Sequence, residues 1–255
     1  MVCGQDLRFA MTKHIILTLS CIAALSAAPP QLQEFRMAAR IGHFDITCPP
    51  EFDRQAAAIG RRAETAYQRV SSSLQHDLSF RPLLVLFATR AEQMRAIETR
   101  TVPGNREHVL VTLDMPETRL DGQLVHELSH VFLFDVLPAA AHRDVPVWIL
   151  EGLAEHQRGE WDVNDLALLK TMVDAGTLPA IANVEAQADA RRGVVFGHAA
   201  FDFLASRAGT DGTRRFFAAL RENQARSLVG TFLAATGLAG TDFDRAFDVY
   251  LKGRF

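Results

Sequence analysis

The stretch Val125-His126-Glu127-Leu128-Ser129-His130-Val131 constrains this chain more than any other. It sets His-Glu-x-x-His inside an apolar run. Four residues are a little more than one helical turn, so on a helix His126 and His130 share a face. Two imidazoles stacked in this way can bind one Zn²⁺ through ring nitrogens. Glu127, beside the first of them, can reach a water at such an ion as general base. The same five residues also arise by composition alone. The competing reading is then a buried amphipathic helix with two incidental histidines.

A second stretch follows, Pro146-Val147-Trp148-Ile149-Leu150-Glu151-Gly152-Leu153-Ala154-Glu155. A zinc site that keeps a position open for water takes three protein ligands, and two histidines with a glutamate are one such set. Glu151 is the candidate third ligand. Residues 137–145 read as a loop that turns the chain back. Pro146 is a good first-turn residue for the helix after it. Glu151 and Glu155 are four apart and share a face. Glu155 is therefore a candidate to orient His126 or His130 through the ring nitrogen that does not face the metal. Its competing reading is a solvated glutamate. Gly152 permits a close helix approach, or is a tolerated glycine that weakens the helix.

Taken together, His126-Glu127-x-x-His130 and Trp148-x-x-Glu151-Gly152-x-Ala154-Glu155 resemble the gluzincin zinc metallopeptidases. Among these they are similar to the peptidase MA-like family, whose pattern runs H-E-x-x-H, then P-x-W-x-x-E-G-x-A-E. The resemblance is sharpest over Leu124–Glu155. One departure is His156, where the family often has an aromatic residue. The metzincin pattern needs a glycine and a third histidine soon after His130, but Leu133 and Val136 hold those places.

The resemblance implies an α+β, zincin-like metallopeptidase fold. A small sheet with one long helix forms one lobe, helices form the other, and the zinc helix lies between them. It implies Zn²⁺ on His126, His130 and Glu151, with Glu127 as base in peptide-bond hydrolysis. It implies a peptide or protein substrate, and an edge strand at Val109–Leu113 that pairs with that substrate. The competing reading is an ordinary internal strand. Such enzymes supply a Tyr or His from the helical half to the oxyanion. After His156, that half offers His198 and Tyr250. Tyr250 falls on an apolar stripe with Phe243 and Phe247, so the expected donor is His198, placed after Gly197 at a helix start. Two alternatives stand beside hydrolysis: a zinc-stabilised binding or regulatory module without turnover, and a helical scaffold without metal.

The 255 residues carry a net charge of −3, with no basic excess to suggest nucleic acid. Lys13 and His14, the apolar Ile15–Leu25 and the small Ser26-Ala27-Ala28 read as an export signal over 1–28. Met11 is a candidate start. The domain is then 29–255, exported to the periplasm or the outside, with no stable membrane insertion once the signal is cleaved. Cys3 and Cys21 go with the signal, which leaves Cys48 alone, a buried small hydrophobe.

Along the chain, strands are expected at His43–Cys48, Leu83–Phe87 and Val109–Leu113. A long amphipathic helix is expected over Phe52–Gln75, with Arg61, Arg62 and Arg69 off its apolar face. A short helix follows over Arg90–Ile97, with a turn at Thr101–Asn105. Helices are expected at Asp162–Val173, Ala199–Ala208, Thr213–Leu220 and Ser227–Ala235, and a last one capped by Thr241. Gly176–Arg192 reads as loop-rich. His142 reads as a surface histidine, and His43, His76 and His108 as incidental.

Overall fold

The computed structural model describes residues 35–98, 107–186, 189–209, 211–222 and 227–255. The export segment over 1–28 and the turn at Thr101–Asn105 lie outside the described residues. From 34 onward the chain is one compact unit.

The fold is α+β: a small mixed sheet and a larger set of helices. Strands β1 (Arg36–Ile41) and β2 (Phe44–Cys48) form an antiparallel hairpin. Strands β3 (Leu83–Phe87) and β4 (His108–Thr112) add to it in parallel, in the order β1-β2-β3-β4. β2 alternates as its sequence predicts, with Phe44, Ile46 and Cys48 fully buried. Burial holds the Cys48 thiol pKa above its ordinary value. β1 is an element the sequence pattern did not single out. Its residues Arg-Met-Ala-Ala-Arg-Ile do not alternate, and pairing with β2 makes them a strand.

Helix α1 (Asp53–Leu74) crosses from β2 to β3 and buries Ala56, Ile59, Ala63, Tyr67, Val70 and Leu74. Gln75 ends it in the left-handed region at φ 50°. Two of the arginines expected in solvent do more. Arg62 reaches Asp121 at 2.6 Å and Glu117 at 3.0 Å. Arg69 donates to the carbonyls of Gln157 at 2.7 Å and Arg158 at 3.1 Å. They tie α1 to the two helices that carry the sequence motifs. Helix α2 (Arg90–Glu98) follows β3.

Helix α3 (Glu117–Val136) packs on α1 and β4 and on the helical half of the molecule. A 3₁₀ turn at Ala139–Asp144 reverses the chain into α4 (Val147–Arg158). Pro146 caps α4 rather than opening its first turn. His142 is half-buried rather than a surface residue. Its Nε2 lies 3.0 Å from the carbonyls of both Phe134 and Leu137, where it closes the end of α3. His43 and His76 also have structural partners, Glu64 at 2.9 Å and Asp135 at 2.6 Å.

Helix α5 (Val163–Asp174) is capped by Asp162, which accepts from the Asn164 amide at 2.8 Å. Helix α6 (Ala190–Ala208) begins well before the expected Ala199. Gly193, Gly197 and two arginines interrupt its apolar pattern in sequence, yet Val195, Phe196, Ala199 and Ala200 are buried. Helices α7 (Asp211–Glu222), α8 (Leu228–Thr236) and α9 (Gly240–Lys252) complete the chain. Ala239, not Thr241, occupies the cap of α9, so Thr241 sits inside the helix. Phe201, Phe216, Phe232, Phe243 and Phe247 meet at ring separations of 5.1–5.9 Å and form the helical core.

Candidate metal centre

Helix α3 places His126 and His130 one turn apart, and their Nε2 atoms lie 3.1 Å from each other. Glu151 approaches from α4, with one carboxylate oxygen 3.4 Å from His126 Nε2 and the other 3.6 Å from His130 Nε2. These three side chains form the one group among the described residues able to hold a metal ion. A tetrahedral ion bound at about 2.0–2.1 Å has ligand–ligand edges of roughly 3.3–3.4 Å. The observed separations bracket that figure, so the donor atoms fit a small divalent ion.

The charges point the same way. Burial lowers the pKa of His126, but hydrogen bonds to Glu151 and Glu155 overcome it and lift the value to about 10. Burial and the neighbouring His126 push His130 down to about 4. Between them the two imidazoles therefore carry one positive charge beside Glu151 and Glu155. The carboxylates of Glu151 and Glu155 thus make the surroundings of the two rings favourable to positive charge.

Glu151 reaches this position because α4 lies very close to α6. A Cβ on Gly152 would sit 2.4 Å from the carbonyl carbon of Gly197. A Cβ on Gly197 would sit 1.9 Å from the carbonyl oxygen of Trp148. Only paired glycines permit this crossing. Of the two readings of Gly152, the close helix approach is the one the structure displays. Trp148, fully buried, fills the crossing edge-on to Phe196 and Phe232.

Glu155, one turn beyond Glu151, places Oε1 3.1 Å from His126 Nδ1. Arg158 holds its other oxygen at 2.7 Å. A proton on Nδ1 directed at Glu155 leaves the Nε2 lone pair of His126 facing the other donors. His130 Nδ1 is buried without a partner among the described residues. Glu127 stands outside the three-atom cluster but lines the same cleft as His126 and Glu155. Burial raises the pKa of its carboxyl group.

That cleft has a volume of about 790 Å³ and is also lined by Arg90, Met115 and Trp161. β4 is an edge of the sheet, as expected of Val109–Leu113. It does not line this cleft. Thr112 and Leu113 instead line a neighbouring cavity of about 400 Å³ that shares Met115 with it.

His198 does not open a helix. It lies inside α6, 4 % exposed, its ring stacked on Trp161 at 3.8 Å and 5°. Burial lowers its pKa to about 4. Tyr250 packs against Phe203, as its apolar stripe predicts. Sequence reasoning passed over Asp202, one turn after His198. Its carboxylate accepts from His156 Nδ1 at 2.9 Å, Trp161 Nε1 at 2.8 Å and Arg254 at 3.0 Å. These contacts outweigh burial and draw its pKa to about 2. The i,i+4 spacing of His198 and Asp202 was the available signal. His156, the residue after Glu155, is thus a partner of Asp202.

No family model, curated protein or solved structure matches this chain. The functional case rests on the residues and their geometry.

Proposed function

We propose that this protein is a zinc-dependent peptidase with a zincin-like fold, exported and acting on peptides or proteins outside the cytoplasm. The observation that carries the reading is the His126–His130–Glu151 group, with Glu127 next to His126 in the chain and both of them lining one cleft. His126, His130 and Glu151 would hold the ion. Bound zinc would supply Lewis acidity to the scissile carbonyl and to the attacking water. Glu127 takes the proton of that water and later passes it to the leaving amine. Its burial raises the carboxyl pKa, the direction that makes a carboxylate a stronger proton acceptor. Glu155 keeps the Nδ1 proton of His126 in place, so that Nε2 stays free to bind. The amino-terminal signal pattern supports export. Among the described residues no helix is long and apolar enough to cross a membrane.

The test combines metal analysis with digestion of an unbiased peptide library, with and without chelator. Wild-type protein is expected to carry one zinc and to cleave. Glu151→Ala is expected to lose the metal. Glu127→Gln is expected to keep it while hydrolysis falls by about a hundredfold to ten-thousandfold. Full zinc in Glu151→Ala removes the third ligand, and metal loss in Glu127→Gln removes the base assignment. Stoichiometric zinc in a wild-type protein that cleaves nothing returns the reading of a binding module without turnover.

A further inference from the structure

Arg90 lines the same cleft as His126 and Glu127, from the sheet side of the molecule. It stands in the first turn of α2, just after Thr89, whose hydroxyl caps the helix by accepting from the Glu92 amide at 3.2 Å. A cation there faces the positive end of the helix dipole, so the position is locally unfavourable to it. The surroundings nonetheless hold it firmly. Its backbone amide donates to Asp114 Oδ2 at 2.9 Å. Its Nη1 donates to the side-chain oxygen of Gln93.

Gln93 is only 2 % exposed. Its amide nitrogen donates to the carbonyl of Leu110 in β4 at 3.2 Å. Burying a carboxamide is costly unless both ends are paired. Here one end is anchored in the sheet and the other grips a single guanidinium. An apolar residue would fill the space without the cost, so placement of Arg90 is what the glutamine adds. The charge of Arg90 is felt by the Asp114 and Glu127 carboxylates, but among the described residues neither forms a direct ion pair with the guanidinium. With Nη1 held by Gln93, the Nε–Nη2 edge remains, two parallel N–H groups that match the two oxygens of a carboxylate.

We infer that Arg90 binds a carboxylate of the substrate at the sheet-side wall of the cleft, with Gln93 as its positioning residue. The inference rests on the peptidase reading of this cleft. The carboxylate has two possible sources, the peptide's own carboxyl terminus or an Asp or Glu side chain.

The experiment measures binding of fluorescent peptide pools to the zinc-loaded Glu127→Gln protein by anisotropy. One pool has a free carboxyl terminus and no acidic residues. A second is amidated and carries Asp or Glu, and a third is amidated without them. One of the first two pools is expected to bind at least about tenfold more tightly than the third, since hydrogen bonds to charged groups are the strong ones. Which pool does so identifies the source. Arg90→Ala in the same background should erase the preference and leave binding of the third pool unchanged. Arg90 is exposed, so its truncation removes no core packing. Arg90→Lys keeps the charge without the fork and should retain only part of the preference. Gln93→Leu should shrink the ratio between pools several-fold, which a purely structural glutamine would not do. Equal binding of all pools, no binding of any, or a preference that survives Arg90→Ala overturns the inference. A wild-type protein that prefers carboxylate peptides but cleaves none would instead overturn the peptidase reading and leave the carboxylate site standing.

Discussion

On the helical side, Glu151 lies within 3.6 Å of both histidines, and Glu155, which lines the cleft with His126, within 3.1 Å of His126. The helix that carries both glutamates is locked to its neighbour through backbone-to-backbone glycine contact. On the sheet wall, Arg90 and Met115 extend from a helix start and a loop, and one buried glutamine steadies the guanidinium. The first wall fixes short-reach donors by main-chain packing. The second steadies a long side chain, Arg90, by one hydrogen bond from its guanidinium. A metal demands the first kind of construction, because an error of a fraction of an ångström breaks the donor set. Recognition of a peptide tolerates the second.

The comparison breaks first at the α4–α6 crossing. Alanine is ordinarily about 1 kcal/mol better than glycine inside a helix. At Gly197 the added methyl would meet the Trp148 carbonyl oxygen at 1.9 Å, and backbone cannot yield as a side-chain end can. Gly197→Ala is expected to cost about 3 kcal/mol, as overpacking does, and to lower zinc occupancy by displacing Glu151. Gly122→Ala is the control. Its methyl would meet only the flexible Arg158 side chain at 3.3 Å, so its effect should lie within about 1 kcal/mol of zero. Denaturant midpoints compare the two. Equal tolerance would show that the helical wall is not locked by the glycine pair.

The same contrast explains what could be read in advance. The facing of His126 and His130 was legible because two side chains four apart on one helix keep a fixed spacing. The Glu151/Glu155 pair was legible for the same reason. Gly152 was legible only as half of a pair, because its counterpart Gly197 lies on a helix whose early turns are masked by glycines and arginines. Strand β1 was illegible because its conformation comes from pairing with β2. Asp202 escaped notice because its partners come from separate elements, and Gln93 because its tie to Leu110 in β4 appears only once α2 packs on the sheet. Their roles exist only once the elements are packed.

Glu155 sharpens the comparison at smaller scale. Its carboxylate holds the Nδ1 side of His126, while His130 Nδ1 has no partner among the described residues. Glu155→Gln should weaken zinc binding by about tenfold to a hundredfold, as loss of a carboxylate behind a ligand histidine does. Arg90→Ala on the opposite wall should leave zinc affinity unchanged. Competition with a chelator of known affinity measures both. Equal effects from the two would erase the distinction between the walls.

The smallest expected effect is at His198. The ring is 4 % exposed and lies flat against Trp161, and Trp161 is the one of the two that lines the cleft. Asp202 in turn fixes the Trp161 indole at 2.8 Å. His198 therefore reaches the cleft through Trp161, and its removal should loosen that indole rather than take a donor from the reacting carbonyl. His198→Ala is expected to change kcat by less than about threefold and to cost about 0.5–1.5 kcal/mol, the worth of an aromatic pair. Trp161 and Trp148 are the only tryptophans, so Trp148→Phe isolates the emission of Trp161, which should shift when His198 is removed. A fall in kcat of about a hundredfold with zinc retained would instead make His198 the donor to the oxyanion. The helical wall would then supply substrate contacts as well as ligands, and the division of labour between the walls would be wrong.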